Sequence, residues 1–508
     1  MTDGIRIVRS SISRVIGMLA SIVASFFIMP MVVRTLGDHW YGLWVIAAGF
    51  GNYYYLLDFG LSSAASRYIA ARVAARDETG VNEVVTTSLV VFTILGLLVA
   101  AATVCVAVIA GRFANPHDVS TLRTILLLQG FGLAIGFPVK AYGGIVFSQL
   151  RYDLIEMYGL LRLGGETVAV VYVLTHGYGV VAYAVVGVAS AQFYNVLFYR
   201  IANRLWPRLR VRFRYFRSGL TREIFHYSVW SMLNQISDNL RFKVDALVVG
   251  GAAGAAMVTH YNIGWRLSDY TLNLINRATN FLAPLYTRYF VRGDFREIQT
   301  KMLAFTRINA LLALGGGGVL IVLGDAFIAR WMGPAYRDAY PVLVVLAIGM
   351  MAEAILQPAS NVLYALSKHR AYAIAAAVEA AANLALSLWL VRRFGLVGVA
   401  WGTTIPLLLN KLLFVPVYTC RVIGLRPGRF YMSVAPTLAL SAAVVGALYV
   451  AIHAGGVALR SYVAIGFATA APLGALVALA FLYLLSRDER GSLTQLASGS
   501  LTLRRRAA

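Results

Sequence analysis

Runs of about 20 apolar residues recur from one end of this chain to the other, and each is the length an α-helix needs to cross bilayer hydrocarbon. That repetition limits the fold more than any motif does. Hydrophobic residues make up 59% of the 508 positions and charged residues only 13%, where a soluble chain keeps roughly a quarter of its residues charged. The composition predicts a polytopic membrane protein. The runs are continuous rather than alternating, so helices are expected and not the short strands of a membrane barrel. The expected fold is all-α, with fourteen spans at roughly 12–33, 42–66, 84–111, 122–146, 154–175, 178–200, 223–250, 258–284, 302–324, 340–366, 371–391, 396–420, 430–452 and 461–485. The first run, Ile12 to Val33, is too long for the apolar part of a signal peptide, and no cleavage pattern follows it.

Charge sets the orientation. With a cytoplasmic N-terminus, 28 of the 45 Lys and Arg fall in cytoplasmic segments and 7 in outer loops. This asymmetry places both termini in the cytoplasm. It also accounts for the net charge of +23 without nucleic acid, because the basic residues sit in short loops between spans. The two cysteines, Cys105 and Cys420, both fall in apolar runs and predict neither a disulfide nor a metal site. No segment is long enough for a soluble catalytic domain, and no Walker A, HExxH, CxxC or GxSxG element occurs. Direct ATP use is therefore not expected. No catalytic residues and no cofactor are assigned.

An internal repeat runs at an offset of about 220 residues. Tyr41 aligns with Tyr261, Pro138 with Pro358, Arg151 with Arg370, and Gly177–Gly187 with Phe394–Thr404. The order is kept, which predicts two six-helix lobes, 1–203 and 223–422, joined by a basic linker over 204–222. Two further spans would occupy 423–486, and 487–508 would be a cytoplasmic tail. Six spans per lobe send both lobes into the membrane in the same direction, and repeat-built transporters bind cargo between the repeats. The linker WPRLRVRFRYFR (Trp206–Arg217) alternates Arg with apolar residues. It suits an anionic inner leaflet, though fixing topology alone would also explain it.

Charge inside a span is costly and usually faces a bundle interior or a wet cavity. Asn234, Asp238, Arg241 and Asp245 step by 4, 3 and 4 and so share one helix face. Arg266, Asp269, Asn273, Asn276 and Asn280 do the same on the next span, with Arg277 beside them. Such a stripe fits a lumen, or an interhelical network that pins packing. Its length favours the lumen. Arg14, Lys140, Asn234, Arg241, Arg266, Asn273, Arg277 and Lys411 are candidates for an anionic cargo, since Arg offers bidentate geometry to phosphate. Asp58, Glu166, Asp238, Asp245, Asp269, Glu353 and Glu379 are candidates for proton or sodium coupling, because burial raises a carboxyl pKa toward neutrality. Arg162 and Glu166 stand four apart and can pair.

The segment PMVVRTLGDHWYGLWVIAAGFGNYYYLLDFGLSSAASRYIA (Pro30–Ala70) resembles the polysaccharide-transporter branch of the MOP flippase superfamily, the Wzx-type flippases. Its LG…YGLW element and its DFGL followed by an Arg carry the likeness. Asp245, a Gly-rich loop, Tyr261 and Pro284 continue it in the second half. The resemblance implies two lobes in a V, with spans one, two, seven and eight around a cavity. It also implies alternating access that moves an undecaprenyl-diphosphate-linked oligosaccharide across the bacterial cytoplasmic membrane. A cationic cavity would hold the diphosphate, and a polysaccharide polymerase and export proteins would be neighbours. Two other transporters of the superfamily compete with this reading, a lipid II flippase and a cation-coupled exporter of small molecules. The basic excess disfavours the exporter, which would hold cationic drugs in an acidic cavity. A non-transporting assembly protein is the remaining alternative.

Overall fold

The computed structural model describes residues 2–54, 58, 60–112, 116–149, 152–224, 244–279, 282–454 and 461–479. Among them every regular element is helical. In chain order these are α1 (Thr2–Leu36), α2 (Asp38–Tyr54), α3 (Leu61–Ala74), α4 (Glu78–Ile109), α5 (Val119–Gly136), α6 (Gly143–Ser148), α7 (Tyr152–Thr175) and α8 (Gly179–Leu205). There follow α9 (Asp245–Ala253), α10 (Ala255–Thr279), α11 (Leu282–Val291), α12 (Phe295–Trp331), α13 (Ala339–Ala365), α14 (His369–Leu409), α15 (Val415–Ile423), α16 (Pro427–Ala454) and α17 (Tyr462–Leu479).

The helix surfaces reverse the pattern of a water-soluble protein. On α4 the exposed stripe is Ile94, Leu97, Leu98, Ala101, Val104, Cys105 and Val108, while Asn82, Thr86, Thr87, Ser88 and Thr103 are buried. An apolar outer stripe of this length needs hydrocarbon against it. Local chemistry sets the helix starts. Asp77 opens α4 by accepting from the Gly80 N–H at 2.8 Å, and Asp294 opens α12 by accepting from the Glu297 N–H at 3.1 Å. Gly37, with φ +83°, separates α1 from α2 at a bend of 119°. A side chain is strained in that left-handed conformation, and glycine is not.

Contacts divide the chain into two compact units, residues 1–262 with 388–399, and residues 263–387 with 400–508. In the first, a core of Phe92, Val99, Phe137, Ile145 and their neighbours packs α3, α4 and α8 together. The start of α2 is tied to the start of α10. The Asn262 amide donates to the Tyr41 hydroxyl at 3.0 Å and the Thr259 hydroxyl to the Asp38 carbonyl at 2.5 Å. A Cβ on Gly42 would strike the Ala255 carbonyl.

In the second unit, α12 and α13 pack along their lengths. Pro358 lies inside α13 and has no N–H for the Ala354 carbonyl four residues back. The Asn309 amide, from α12, donates to that carbonyl at 2.7 Å instead. Asn309→Ala should therefore cost about 1–3 kcal/mol, read as a lower unfolding temperature of the detergent-purified chain. In a Pro358→Ala background the restored N–H can serve Ala354, and most of that loss should disappear.

Eight helices among the described residues are long and apolar enough to cross a membrane, or nine if the bent pair of α1 and α2 makes one span. The fourteen expected from sequence differ for identifiable reasons. Span seven lies largely in 225–243, outside the described residues. Helix α10 is too polar to pass, because Arg266, Asp269, Asn273 and Asn276 interrupt it. The expected spans 371–391 and 396–420 belong to one helical stretch, Arg370–Ile423, broken at Gly395 with φ 55° and ψ −135°. The arms on either side fold back, so that a Cβ on Gly402 would meet Ser387.

Candidate functional site

The first unit holds an open cavity of about 880 Å³. Its walls come from α2 (Trp44, Ala48, Gly51), α3 (Ser62, Ser66), α5 (Gln129, Gly132, Gly136), α7 (Arg162, Glu166) and α8 (Tyr183, Gly187, Gln192, Tyr194, Asn195), with Phe137 and Lys140 between α5 and α6. Small residues let α5 and α8 approach closely. A Cβ on Gly132 would come within 2.8 Å of Val188, and one on Gly136 within 2.9 Å of the Asn195 amide. Gly187 is different, with nothing within 4 Å of where its Cβ would stand, so its face of α8 opens onto the cavity.

Two ion pairs meet these walls, through Lys140 in one and through both Arg162 and Glu166 in the other. Lys140, in the 3-10 turn Pro138–Tyr142 that Pro138 opens, places its ammonium 3.2 Å from Asp58 and 4.1 Å over the Phe137 ring. Asp58 also accepts from the Ser62 N–H and hydroxyl, which fixes the first turn of α3. Arg162 meets Glu166 at 3.2 Å, as their spacing on α7 predicts, and Glu166 accepts from the Ser190 hydroxyl of α8 at 2.6 Å. The amides form a chain, with Asn195 donating to Gln192 at 3.1 Å and Gln192 to the Gly132 carbonyl at 2.7 Å. Aromatic rings complete the walls, Trp44 lying 5.1 Å from Tyr183. Lys140, expected as a cation for cargo, is thus held by Asp58 in this conformation.

The second unit holds a drier cluster. Residues Asn410–Phe414 form a π-helical turn, a deformation that costs helix geometry and recurs at functional positions. Pro416 contributes to it, since it cannot donate to the Leu412 carbonyl; the Tyr431 hydroxyl does so at 2.5 Å. The turn aims consecutive side chains at the two carboxylates. The Lys411 side chain, 0% exposed, lies 2.9 Å from Glu353 and 2.9 Å from the Tyr372 hydroxyl. The Asn410 amide donates to Glu379 at 2.5 Å. Asn383 accepts from Ser387 and from Thr403 beside them.

The remaining expected residues are distributed as follows. Asp245 is buried in the first turn of α9 and accepts from the Tyr261 hydroxyl at 2.5 Å. Arg266 and Asp269 are half-buried and Asn273 exposed on α10. Asn234, Asp238 and Arg241 lie outside the described residues, as do the side chains of Arg14 and Arg277. The structure therefore brings Lys140 and Glu166 to one cavity, with Asp58 paired to Lys140, and Glu353, Lys411 and Glu379 to one cluster. Sequence reasoning missed Gln192, Asn195 and Ser190. The signal present was Gln192 and Asn195 three apart on an otherwise apolar helix.

With this geometry in place, similarity to known proteins is informative. The family model described as polysaccharide biosynthesis protein matches residues 31–341. A putative O-antigen transporter of Shigella flexneri is 22% identical over 428 residues, covering 81% of this chain and 98% of that one. Among solved structures, lipid II flippase MurJ in an inward closed conformation aligns with a TM-score of 0.71 at 12% identity, over 92% of this chain and all of that one. An inward-facing multidrug resistance MATE family transporter of the MOP superfamily aligns with a TM-score of 0.69 at 17% identity, over 79% and 94%. Likeness at these identities shows the fold alone, an all-α polytopic membrane architecture like those of MurJ and the MATE transporter.

Proposed function

The chain belongs to the polysaccharide biosynthesis protein family, and from that premise we propose that it is a Wzx-like flippase rather than an enzyme. Its cargo would be an undecaprenyl-diphosphate-linked oligosaccharide, carried across the bacterial cytoplasmic membrane by alternating access for surface polysaccharide assembly. The observation that carries this reading is the first-unit cavity. Its volume of about 880 Å³ lies within the roughly 300–1,000 Å³ of ligand pockets. Aromatic faces beside amides and paired charges suit sugar rings and hydroxyls. Lys140 and Arg162, once released from Asp58 and Glu166, suit a diphosphate. The name of the Shigella relative supports the cargo class; the MurJ and MATE likenesses support the architecture.

The proposed plan has fourteen spans, in lobes over 1–203 and 223–422 plus two C-terminal helices, with both termini cytoplasmic. Arg14, Asn234, Arg241, Arg266, Asn273 and Arg277 would line the path of the cargo, and this assignment rests on helical spacing. Proton or sodium coupling would fall to carboxylates among Asp58, Glu166, Asp238, Asp245, Asp269, Glu353 and Glu379. The test is translocation of a fluorescent lipid-linked oligosaccharide by the purified chain in proteoliposomes. Gly187→Trp sends an indole into the cavity from a position whose Cβ would have nothing within 4 Å, so it should abolish translocation and leave the unfolding temperature within a few degrees of the parent. Full translocation by a folded Gly187→Trp chain would remove the cavity from the cargo path.

A further inference from the structure

The linker between the expected lobes is an ordered strap laid along the start of α4. Arg208 is paired with Glu78, the Arg210 N–H donates to the Asn82 side chain at 2.8 Å, and the Arg217 N–H to the Thr87 hydroxyl at 3.0 Å. The Arg217 guanidinium lies 2.8 Å from Glu83. From Glu78 to Thr87 the helix rises about 14 Å. Helix α4 has 32 residues, well over the ~20 that cross hydrocarbon. Its apolar outer stripe runs toward Ile109, so its first dozen residues stand clear of the hydrocarbon. Counting about 20 residues of hydrocarbon back from Ile109 would put the strap at headgroup depth, with the edge of the hydrocarbon near Thr87.

The structure sorts the arginines of the strap. Arg208 and Arg217 are spent on carboxylates. Arg210, Arg212 and Arg214 are exposed and have no carboxylate partner among the described residues; Arg214 donates to the neutral Tyr215 hydroxyl at 2.9 Å. Between them, Val211 and Phe213 are exposed as well, Phe213 at 80%. Three uncompensated cations alternating with bare apolar side chains at headgroup depth form an interfacial surface. Arginine stems and a phenyl ring sit well at such a boundary.

We propose that the 210–214 segment binds anionic lipid headgroups and gathers such lipids around the start of α4. Lipid is favoured over an acidic protein or nucleic acid because Phe213 and Val211 need an apolar medium within reach of the same arginines. Each free arginine should favour an anionic surface by on the order of five-fold.

The test uses the full chain with Cys105→Ser, Cys420→Ala and Val211→Cys, labelled at position 211 with a fluorophore. It is placed in nanodiscs of phosphatidylcholine and phosphatidylglycerol, with one lipid or the other brominated. Phosphatidylglycerol should quench the label several-fold more than phosphatidylcholine at equal mole fraction. High salt should cancel the preference, since these charges are exposed. Arg210→Gln, Arg212→Gln and Arg214→Gln together should also cancel it without changing monodispersity. Equal quenching by the two lipids in low salt would overturn the proposal. So would a label that neither lipid quenches but that added single-stranded nucleic acid shields, which would mark a soluble polyanion site instead.

Discussion

Lys411→Met should destabilise the chain by about 3–5 kcal/mol, the cost of leaving a buried carboxylate without its cation. The Lys411 ammonium is fully enclosed, with Glu353 and the Tyr372 hydroxyl each at 2.9 Å. A well-packed apolar pair can replace a buried ion pair at little cost. The double variant Lys411→Met/Glu353→Met should therefore melt much closer to the parent than Lys411→Met alone does. The measurement is thermal unfolding in detergent, analysed as a double-mutant cycle. A Lys411→Met chain that melts with the parent would contradict the pairing. The π-turn gives the cycle a mechanical meaning, since the same turn that sends Lys411 to Glu353 sends Asn410 to Glu379.

Lys140→Gln should lower translocation on the order of 10- to 100-fold, the loss of a hydrogen bond to a charged group worth ~1.5–3 kcal/mol. The ammonium lies in the cavity wall, 3.2 Å from Asp58. If its work were only to neutralise Asp58, Lys140→Gln/Asp58→Asn would restore transport. The cargo-binding role predicts that the double variant stays as slow as Lys140→Gln. Asp58→Asn alone mimics the protonated carboxyl and releases the lysine.

The membrane class and the helical fold were legible in the sequence because each span is local. Twenty consecutive apolar residues need no distant partner to be read. The polar face of α10 was legible for the same reason, through the 3.6-residue period of Arg266, Asp269 and Asn273. So was the Arg162–Glu166 pair, one helical turn apart. What did not show is what packing decides. Asp58 and Lys140 are 82 positions apart, and Glu353 and Lys411 are 58 apart; no spacing rule joins them. Lys140 read as a free cation because its counter-charge comes from another helix. Nothing in the sequence marks Asn309, although it serves a carbonyl that Pro358 strands on the neighbouring helix. The π-turn at Asn410–Phe414 left no mark beyond Pro416.

A flippase of this kind decides which leaflet a lipid-linked oligosaccharide faces. The direct measurement is the sidedness of that lipid in cells lacking this protein and any redundant flippase, read by access of an impermeant glycan probe to the outer leaflet. The lipid-linked oligosaccharide should accumulate on the cytoplasmic face and surface polysaccharide should be lost, with both defects reversed by the native chain and not by Gly187→Trp. Undiminished delivery to the outer leaflet in those cells would contradict the flippase reading.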